Sequence, residues 1–325
     1  MPHAIVKTML LAAISVAFTV TQAAENTYPT RPITLIVPTA PGGAGDSAAR
    51  ILANELSQRL GQPLVVENRP GASYTIGTSA VTKVPADGYT VLFGVDTGFT
   101  AAPYLVNPAP YDPSKDFEPV SYVGSSPLVL LANAALPYSS LPELIAYAKE
   151  KPRSVTYASG GLGSAHHLAM ELLQRSTGAS LMHVPYKAAP LGLTGMLGGH
   201  VDLTFISYGP ALPHLNSGKA KGLAVTTAKA LESSPNIRPV GETVQGYDFT
   251  SWFGLFVRAG TPPQIKRKLE DAATATLSSA EVRKKLAGIG VLAEDGTAAS
   301  METVLRRDTE MLAPLLADIR KANSK

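Results

Sequence analysis

Apolar residues in this chain fall into short blocks that alternate between two periods. Ile33–Pro38 (ITLIVP) is nearly all apolar, the pattern of a strand buried in a parallel sheet. Ala49, Leu52, Ala53, Leu56 and Leu60 then repeat at helical spacing and predict a helix over about Asp46–Leu60. The alternation continues with a strand at Leu64–Glu67, a helix at Ile76–Lys83 and a strand at Thr90–Val95. Leu128–Ala132 reads as a strand and Leu141–Glu150 as a helix, with Pro142 placed where a first turn accepts it. A second series follows: strand Val155–Ala158, helix Ala165–Thr177, strand Leu181–Val184, helix Leu191–Leu197, strand Leu203–Ile206, helix Pro210–Ser217 and strand Leu223–Thr226. Thr227–Gln245 has little periodicity, and Thr250–Val257 (TSWFGLFV) is strongly strand-like. Two helices are expected to close the chain. In the last, Met301, Val304, Leu305, Met311, Leu312, Leu315, Leu316 and Ile319 mark one broad apolar face. Strands alternating with helices predict an α/β fold with mainly parallel sheets.

The first residues break this pattern. Met1–Thr8 carries Lys7 as its one charged side chain, Met9–Val20 is apolar apart from Ser15 and Thr19, and Thr21–Ala24 offers small residues. That order predicts a secretory leader over residues 1–24, cleaved after Ala23 or Ala24. The apolar run is too short for a stable membrane anchor. No arginine pair marks a folded-export signal, and no cysteine is present for a lipid anchor, so the mature protein is expected free in the periplasm.

Charge narrows the partners. The chain has 28 basic and 25 acidic residues, and loss of Lys7 with the leader leaves 27 − 25 = +2. So small a balance, with no basic stripe, argues against nucleic acid. The absence of cysteine excludes disulfides and thiolate metal sites, so stability rests on hydrophobic cores. No metal or cofactor is expected.

Two segments repeat one device. Pro41-Gly42-Gly43-Ala44-Gly45-Asp46 follows the strand ITLIVP, and Ser159-Gly160-Gly161-Leu162-Gly163-Ser164 follows VTYA. Each is a strand, a Gly-Gly-x-Gly turn, a candidate N-cap (Asp46 or Ser164) and a helix. A helix start presents unpaired amides and a positive dipole end, and so binds a carboxylate or phosphate without a charged side chain. Beyond the carboxyl ends of strands, two such loops facing each other would grip a small anion. Either loop alone is equally well an ordinary tight turn; the recurrence favours a site.

Other chemistries fit less well. Gly43-x-Gly45-x-x-Ala48, with Glu67 ending the next strand, mimics a dinucleotide fingerprint, but a secreted chain is a poor home for nicotinamide cofactors. No Gly-x-Ser-x-Gly elbow, His-Glu-x-x-His or P-loop lysine occurs. Ser164 and His167, with Ser159 and His166 nearby, suggest a hydrolase only weakly, since no third group orients them. Neighbouring helical residues diverge, so one of His166 and His167 is expected at the cleft and the other packed or exposed. His183, His200 and His214 lack ligand spacing and are expected to be structural or solvated. Asp202 is expected to stabilise a turn. Tyr186 and Lys187 sit on a loop where either could meet an anion or simply face solvent.

The stretches YPTRPITLIVPTAPGGAGD, LGQPLVVENRPGA, ADGYTVLFG, YDPSKDFEPV, TYASGGLGSAHHLAMELL, HVPYKAAP, LGGHVDLTF and TSWFGLFVRAGTPP together resemble the Bug-type, tripartite tricarboxylate transporter substrate-binding proteins of the periplasm. The resemblance runs the length of the mature chain. It implies the periplasmic-binding-protein fold: two α/β lobes around a ligand cleft, the first from 25–124 and 250–325, the second from 125–249. It implies capture of a small carboxylate, a dicarboxylate or an aromatic acid, by a hinge-closing, monomeric carrier that delivers it to the membrane subunits of a permease, or else serves a sensor. The implied ligand residues are Pro41, Gly42, Gly43, Ala44, Gly45, Asp46, Ser73, Tyr74, Thr75, Thr97 and Phe99 in the first lobe. In the second they are Ser159, Gly160, Ser164, His167, Lys187, Ala189 and Ser207. Three departures from the family pattern bear on the solute. Ser73-Tyr74 stands for a glycine pair, Ile206 for an aspartate and Gly195 for another. The loss of acid at Ile206 and the added ring at Tyr74 suggest an amine-free carboxylate.

Overall fold

The computed structural model describes residues 28–106 and 108–323; the expected leader lies outside them. The chain opens with β1 (Ile33–Val37), α1 (Ala44–Leu60), β2 (Leu64–Asn68), α2 (Thr75–Val81) and β3 (Thr90–Val95). β1 runs parallel between β2 and β3, and all of it but Thr34 is buried, which accounts for its apolar sequence. The short helices α3 (Asp96–Thr100), α4 (Ala102–Leu105) and α5 (Pro113–Asp116) lead to β4 (Phe117–Ser126). This ten-residue strand escaped the sequence reading. Its apolar residues Phe117, Val120 and Val123 are spaced in threes around Pro119. Two register shifts in its pairing with a later strand absorb that spacing, so no period of two develops.

At Pro127 the chain leaves the first sheet. It then forms β5 (Leu128–Asn133), α6 (Leu141–Glu150), β6 (Thr156–Ser159), α7 (Ala165–Thr177), β7 (Met182–Pro185), α8 (Ala189–Leu197), β8 (Leu203–Ser207), α9 (Tyr208–Asn216) and β9 (Ala220–Val225). Its five strands make a separate sheet in the order β7-β6-β8-β5-β9. Asp202 pins the entry to β8, accepting from the Thr156 amide at 2.7 Å and hydroxyl at 2.8 Å, the turn role expected of it. After α10 (Val240–Thr243), β10 (Ser251–Arg258) returns to the first sheet between β3 and β4, antiparallel to both. Three helices, not the expected two, follow: α11 (Pro263–Leu277), α12 (Ala280–Ala287) and, after the edge strand β11 (Leu292–Ala293), α13 (Ala298–Asn323).

The result is a two-lobed α/β fold of the periplasmic-binding-protein kind, each sheet covered on both faces by apolar clusters. The lobes are joined where Ser126–Leu128 passes one way and Thr226–Ser251 the other. Thr226 stitches the crossing: its hydroxyl accepts from the Leu128 amide at 3.0 Å, and its amide donates to the Leu128 carbonyl at 2.9 Å. One expectation needs amending. Residues 250–325 do not all pack with the first lobe, because α13 crosses over. Met301 belongs to a first-sheet cluster with Trp252 and Phe256, whereas Leu312, Leu315, Leu316 and Ile319 pack with Leu128, Tyr157 and Leu168 of the second. The apolar face of α13 is long enough to serve both.

Candidate functional site

Among the described residues, Thr39, Asp96, Thr97 and His166 leave buried polar atoms unpaired beyond the carboxyl ends of parallel strands, while Ser121, Tyr138 and Thr276 do so elsewhere. In the first lobe, α1 begins two residues earlier than its apolar spacing suggested, with Gly43 as N-cap and no side chain closing the helix start. The Ala44 and Gly45 amides have no partner among the described residues. Pro41, Gly42 and Gly43 are exposed and Ala44 is half-buried. Gly45 is buried, and a Cβ there would stand 3.1 Å from Thr39, whose own hydroxyl is buried and unpaired.

Asp46 is neither the N-cap nor a free ligand group. Its carboxylate turns inward, accepting from the Gly42 amide (2.9 Å), Asn68 Nδ2 (2.8 Å) and Arg50 Nε (3.1 Å). Burial alone would raise its pKa, but the bonds from Arg50, Gly42 and Asn68 outweigh that and hold it below the ordinary carboxylate range. Asp46 therefore braces the loop and leaves the helix start open.

The loop before α2 is strained. Ala72, Ser73 and Tyr74 have φ of 46°, 51° and 73°, left-handed backbone that glycine adopts freely and other residues at a cost of about 1–2 kcal/mol each. Thr75 closes that turn on itself, its hydroxyl donating to the Ala72 carbonyl at 2.8 Å, so it is a brace and not a free donor. Tyr74 lies against Gly98, and burial with the nearby Asp96 pushes its hydroxyl up to about 12. At the end of β3, Thr97 is buried with an unpaired hydroxyl. Phe99 does not line the loops: it stacks on Phe256 at 4.1 Å within the core.

In the second lobe, Ser164 is the N-cap of α7 as expected; its hydroxyl accepts from the His167 amide and donates to the Gly161 carbonyl at 2.7 Å. Ser159 is buried, and its hydroxyl is occupied by His183 Nε2 at 2.7 Å and the Gly161 amide at 3.0 Å. The observed serine–histidine pair is thus Ser159–His183, with the hydroxyl enclosed and doubly engaged, unsuited to nucleophilic attack. His167 is an interior residue: Nδ1 accepts from the Gly163 amide and the ring packs on His183 at 4.4 Å. Burial lowers both imidazoles to about 4, so both are neutral near pH 7; His167 adds to the lowering at His183, while Glu171 opposes it.

The histidine turned toward the loops is His166. Its Nδ1 is buried without a partner, 3.5 Å from where a Gly160 Cβ would stand, and the Ala189 amide nitrogen is 3.2 Å from the same point. Gly160, His166 and the start of α8 therefore meet. Lys187 is exposed and Ser207 partly so. Ile206 lies in the second-lobe core with Val129 and Ala211, so it tells nothing about an amine in the cleft. A Cβ on Gly195 would stand 2.3 Å from the Tyr186 hydroxyl, which makes that departure structural.

Sequence reasoning missed Asp96 and Thr39 as site candidates, and of the two adjacent histidines it placed His167, not His166, among the ligand residues. The available signal for Asp96 was an acid directly after a buried apolar strand. Two shallow surface hollows, one of about 420 Å³ beside Gln264 and Arg267 and one of about 360 Å³ beside Glu294 and Ser300, share no residue with these loops. Among the described residues no cluster of metal-ligating side chains occurs, and no helix is long and apolar enough to cross a membrane.

Residues 48–317 match the sequence profile of the tripartite tricarboxylate transporter family receptor, TctC. The chain belongs to this family. Among relatives of the receptor, Protein BugT of Bordetella pertussis is 41% identical over 244 residues, 74% of each chain. Among solved structures, R. palustris Rpa4515 with adipate superposes with a TM-score of 0.81 at 35% identity, covering 91% of this receptor and 99% of that chain. MatC (Rpa3494) from Rhodopseudomonas palustris with bound malate gives 0.78 at 29% identity, covering 89% and 100%. The receptor is a solute-binding protein and not an enzyme, and the enclosed, doubly engaged Ser159 hydroxyl fits that role.

Proposed function

We propose that this receptor captures a small carboxylate in the periplasm and delivers it to the membrane subunits of a tripartite permease. The observation that carries the reading is the open start of α1, where Gly43 caps without a side chain and the Ala44 and Gly45 amides stay unpaired. A helix start with free amides is suited to a carboxylate. The contacting set we retain is Pro41 to Gly45, Ser73, Tyr74 and Thr97 from one lobe, with Gly160, Lys187, Ala189 and Ser207 from the other. Asp46, Thr75, Ser159, Ser164 and His167 hold the loops in place. The adipate and malate bound by the two R. palustris relatives support a carboxylate as the ligand class. Closure about Ser126–Leu128 and Thr226–Ser251 follows if the solute contacts both lobes, since only a differential affinity shifts the open–closed balance. The expected cleaved leader and a monomeric carrier complete the proposal.

Thermal unfolding against adipate, malate, succinate and benzoate tests it. A ligand at about 100 times its Kd stabilises the folded state by roughly 2.7 kcal/mol, a clear rise in midpoint. No rise with any carboxylate, together with a rise for an uncharged or cationic solute, overturns the reading.

A further inference from the structure

Asp96 follows the last residue of β3, at the sheet edge that carries the loops just described, and is only 3% exposed. Neither carboxyl oxygen has a hydrogen-bond partner among the described residues. Thr97 and the Ser251 hydroxyl lie close enough to favour its ionised form without meeting full hydrogen-bond geometry, and the Thr97 hydroxyl is itself unpaired. Every other neighbour is spoken for or unhelpful. Asp308 is acidic and already accepts from Trp252 Nε1 at 2.7 Å and from Arg307 at 2.8 Å. Arg307 also reaches Asp248 at 3.2 Å. Tyr74 comes from the strained loop, with its Cβ 3.5 Å from where a Gly98 side chain would start.

A buried carboxyl with two unpaired oxygens is destabilising, and buried polar groups are seldom left so unless something outside the chain satisfies them. The location offers such a partner. Asp96 neighbours Tyr74 and Thr97, both in the proposed contacting set, and Ser251, where the chain re-enters the first lobe from the hinge. The helix-start amides supply donors alone, which fits a carboxylate; of the buried groups left unpaired beside the first-lobe loops, Thr39, Asp96 and Thr97, Asp96 is the carboxyl, which when ionised can only accept. A plain dicarboxylate has nothing to give it, whereas a hydroxyl or ammonium group has.

We infer that Asp96 is a specificity-determining residue of this cleft, accepting a hydrogen bond from a hydroxyl or ammonium group that the carboxylate solute carries. The inference rests on the carboxylate reading above and leaves room for an amine that the sequence reading of Ile206 and Tyr74 had set aside, since the Ile206 side chain lies in the core. Burial, with a further push from Asp308, raises the Asp96 carboxyl to about 7 against the lowering influence of Thr97 and Ser251.

Succinate, malate and aspartate share one four-carbon dicarboxylate skeleton and differ by hydrogen, hydroxyl and ammonium. Calorimetric titration of the mature protein with each, at pH 7.5, tests the inference. Malate or aspartate should bind at least about tenfold tighter than succinate, the range of a hydrogen bond to a charged group, and whichever does so identifies the donor. In Asp96→Asn, which keeps shape but loses the charge, that ratio should fall to within about threefold. Equal affinities in the wild type, tighter binding of succinate, or a ratio that survives in Asp96→Asn each overturn it while leaving carboxylate capture intact. Failure of every carboxylate to bind removes the proposed function and this inference together. The wild-type ratio stands by itself if the variant does not fold.

Discussion

Gly209 and Gly290 press backbone on backbone between the start of α9 in the second lobe and the turn after α12 in the first. A Cβ on Gly290 would stand 2.7 Å from the Gly209 amide nitrogen, and one on Gly209 would stand 2.9 Å from the Ile289 carbonyl oxygen. Gly290 also has φ of 78°. Gly290→Ala therefore meets both a backbone clash and a left-handed conformation, and should cost about 2 kcal/mol or more. The expected outcome is a thermal midpoint lower by several degrees, with solute affinity weakened because the lobes are wedged apart. An unchanged midpoint and affinity would show that this contact opens freely.

The 72–74 turn gives the opposite kind of prediction. Ser73 holds φ of 51° without glycine's freedom. Ser73→Gly should relieve strain of about 1–2 kcal/mol, partly offset by the larger entropy of a glycine in the unfolded chain. A midpoint raised by a net gain of up to about 1 kcal/mol is expected. Solute affinity should fall if the hydroxyl contacts the ligand and hold if the strained turn only positions Tyr74. Differential scanning calorimetry with and without adipate separates the two effects.

How much of this was legible in the sequence depends on what each residue answers to. The ITLIVP strand and the helix ending at Leu60 were legible because burial on both faces or on one stripe leaves a period in the chain. The strand Phe117–Ser126 was not, since its register shifts against β10 erase the period. The double Gly-Gly-x-Gly device was legible as two helix starts, and Ser164 capped as expected. Asp46 looked like a cap because it follows glycines; its inward turn depends on Asn68 and Arg50, and the Asn68 contact lies 22 residues away, beyond any local pattern. The choice between His166 and His167 was likewise settled by the distant His183, against which His167 packs. Spacing alone gives adjacent helical residues no such label.

The enclosed imidazoles make stability depend on acid. His167 and His183 are held neutral, with pKa lowered to about 4 from about 6.5 in the unfolded chain. Between those values the unfolded state binds more protons, so stability is fully present above pH 6.5 and declines as pH falls toward 4. The melting midpoint should drop across that window. His167→Gln with His183→Gln should flatten the slope while lowering the midpoint at pH 7.5, because the Ser159 and Gly163 contacts are disturbed. A slope as steep in the double variant as in the wild type would place the acid sensitivity elsewhere.

Asp96 works in the other direction. Its pKa in the fold is raised to about 7 against an ordinary value of 3.8, mainly by burial and further by Asp308. Between these values the folded state holds the proton more tightly than the unfolded state. The associated stability is therefore fully present below about pH 4, lost progressively toward 7 and gone above it. Asp96→Asn cannot ionise, so it lacks this loss. The variant's midpoint minus that of the wild type should grow more positive from pH 4.5 to pH 8, by a few degrees in the absence of solute. Malate or aspartate, by giving the carboxylate its donor, should shrink that difference at pH 8, and succinate should not. A difference that stays constant with pH would mean that Asp96 titrates as an ordinary solvated acid, and that its unpaired oxygens are satisfied by water in the unliganded protein.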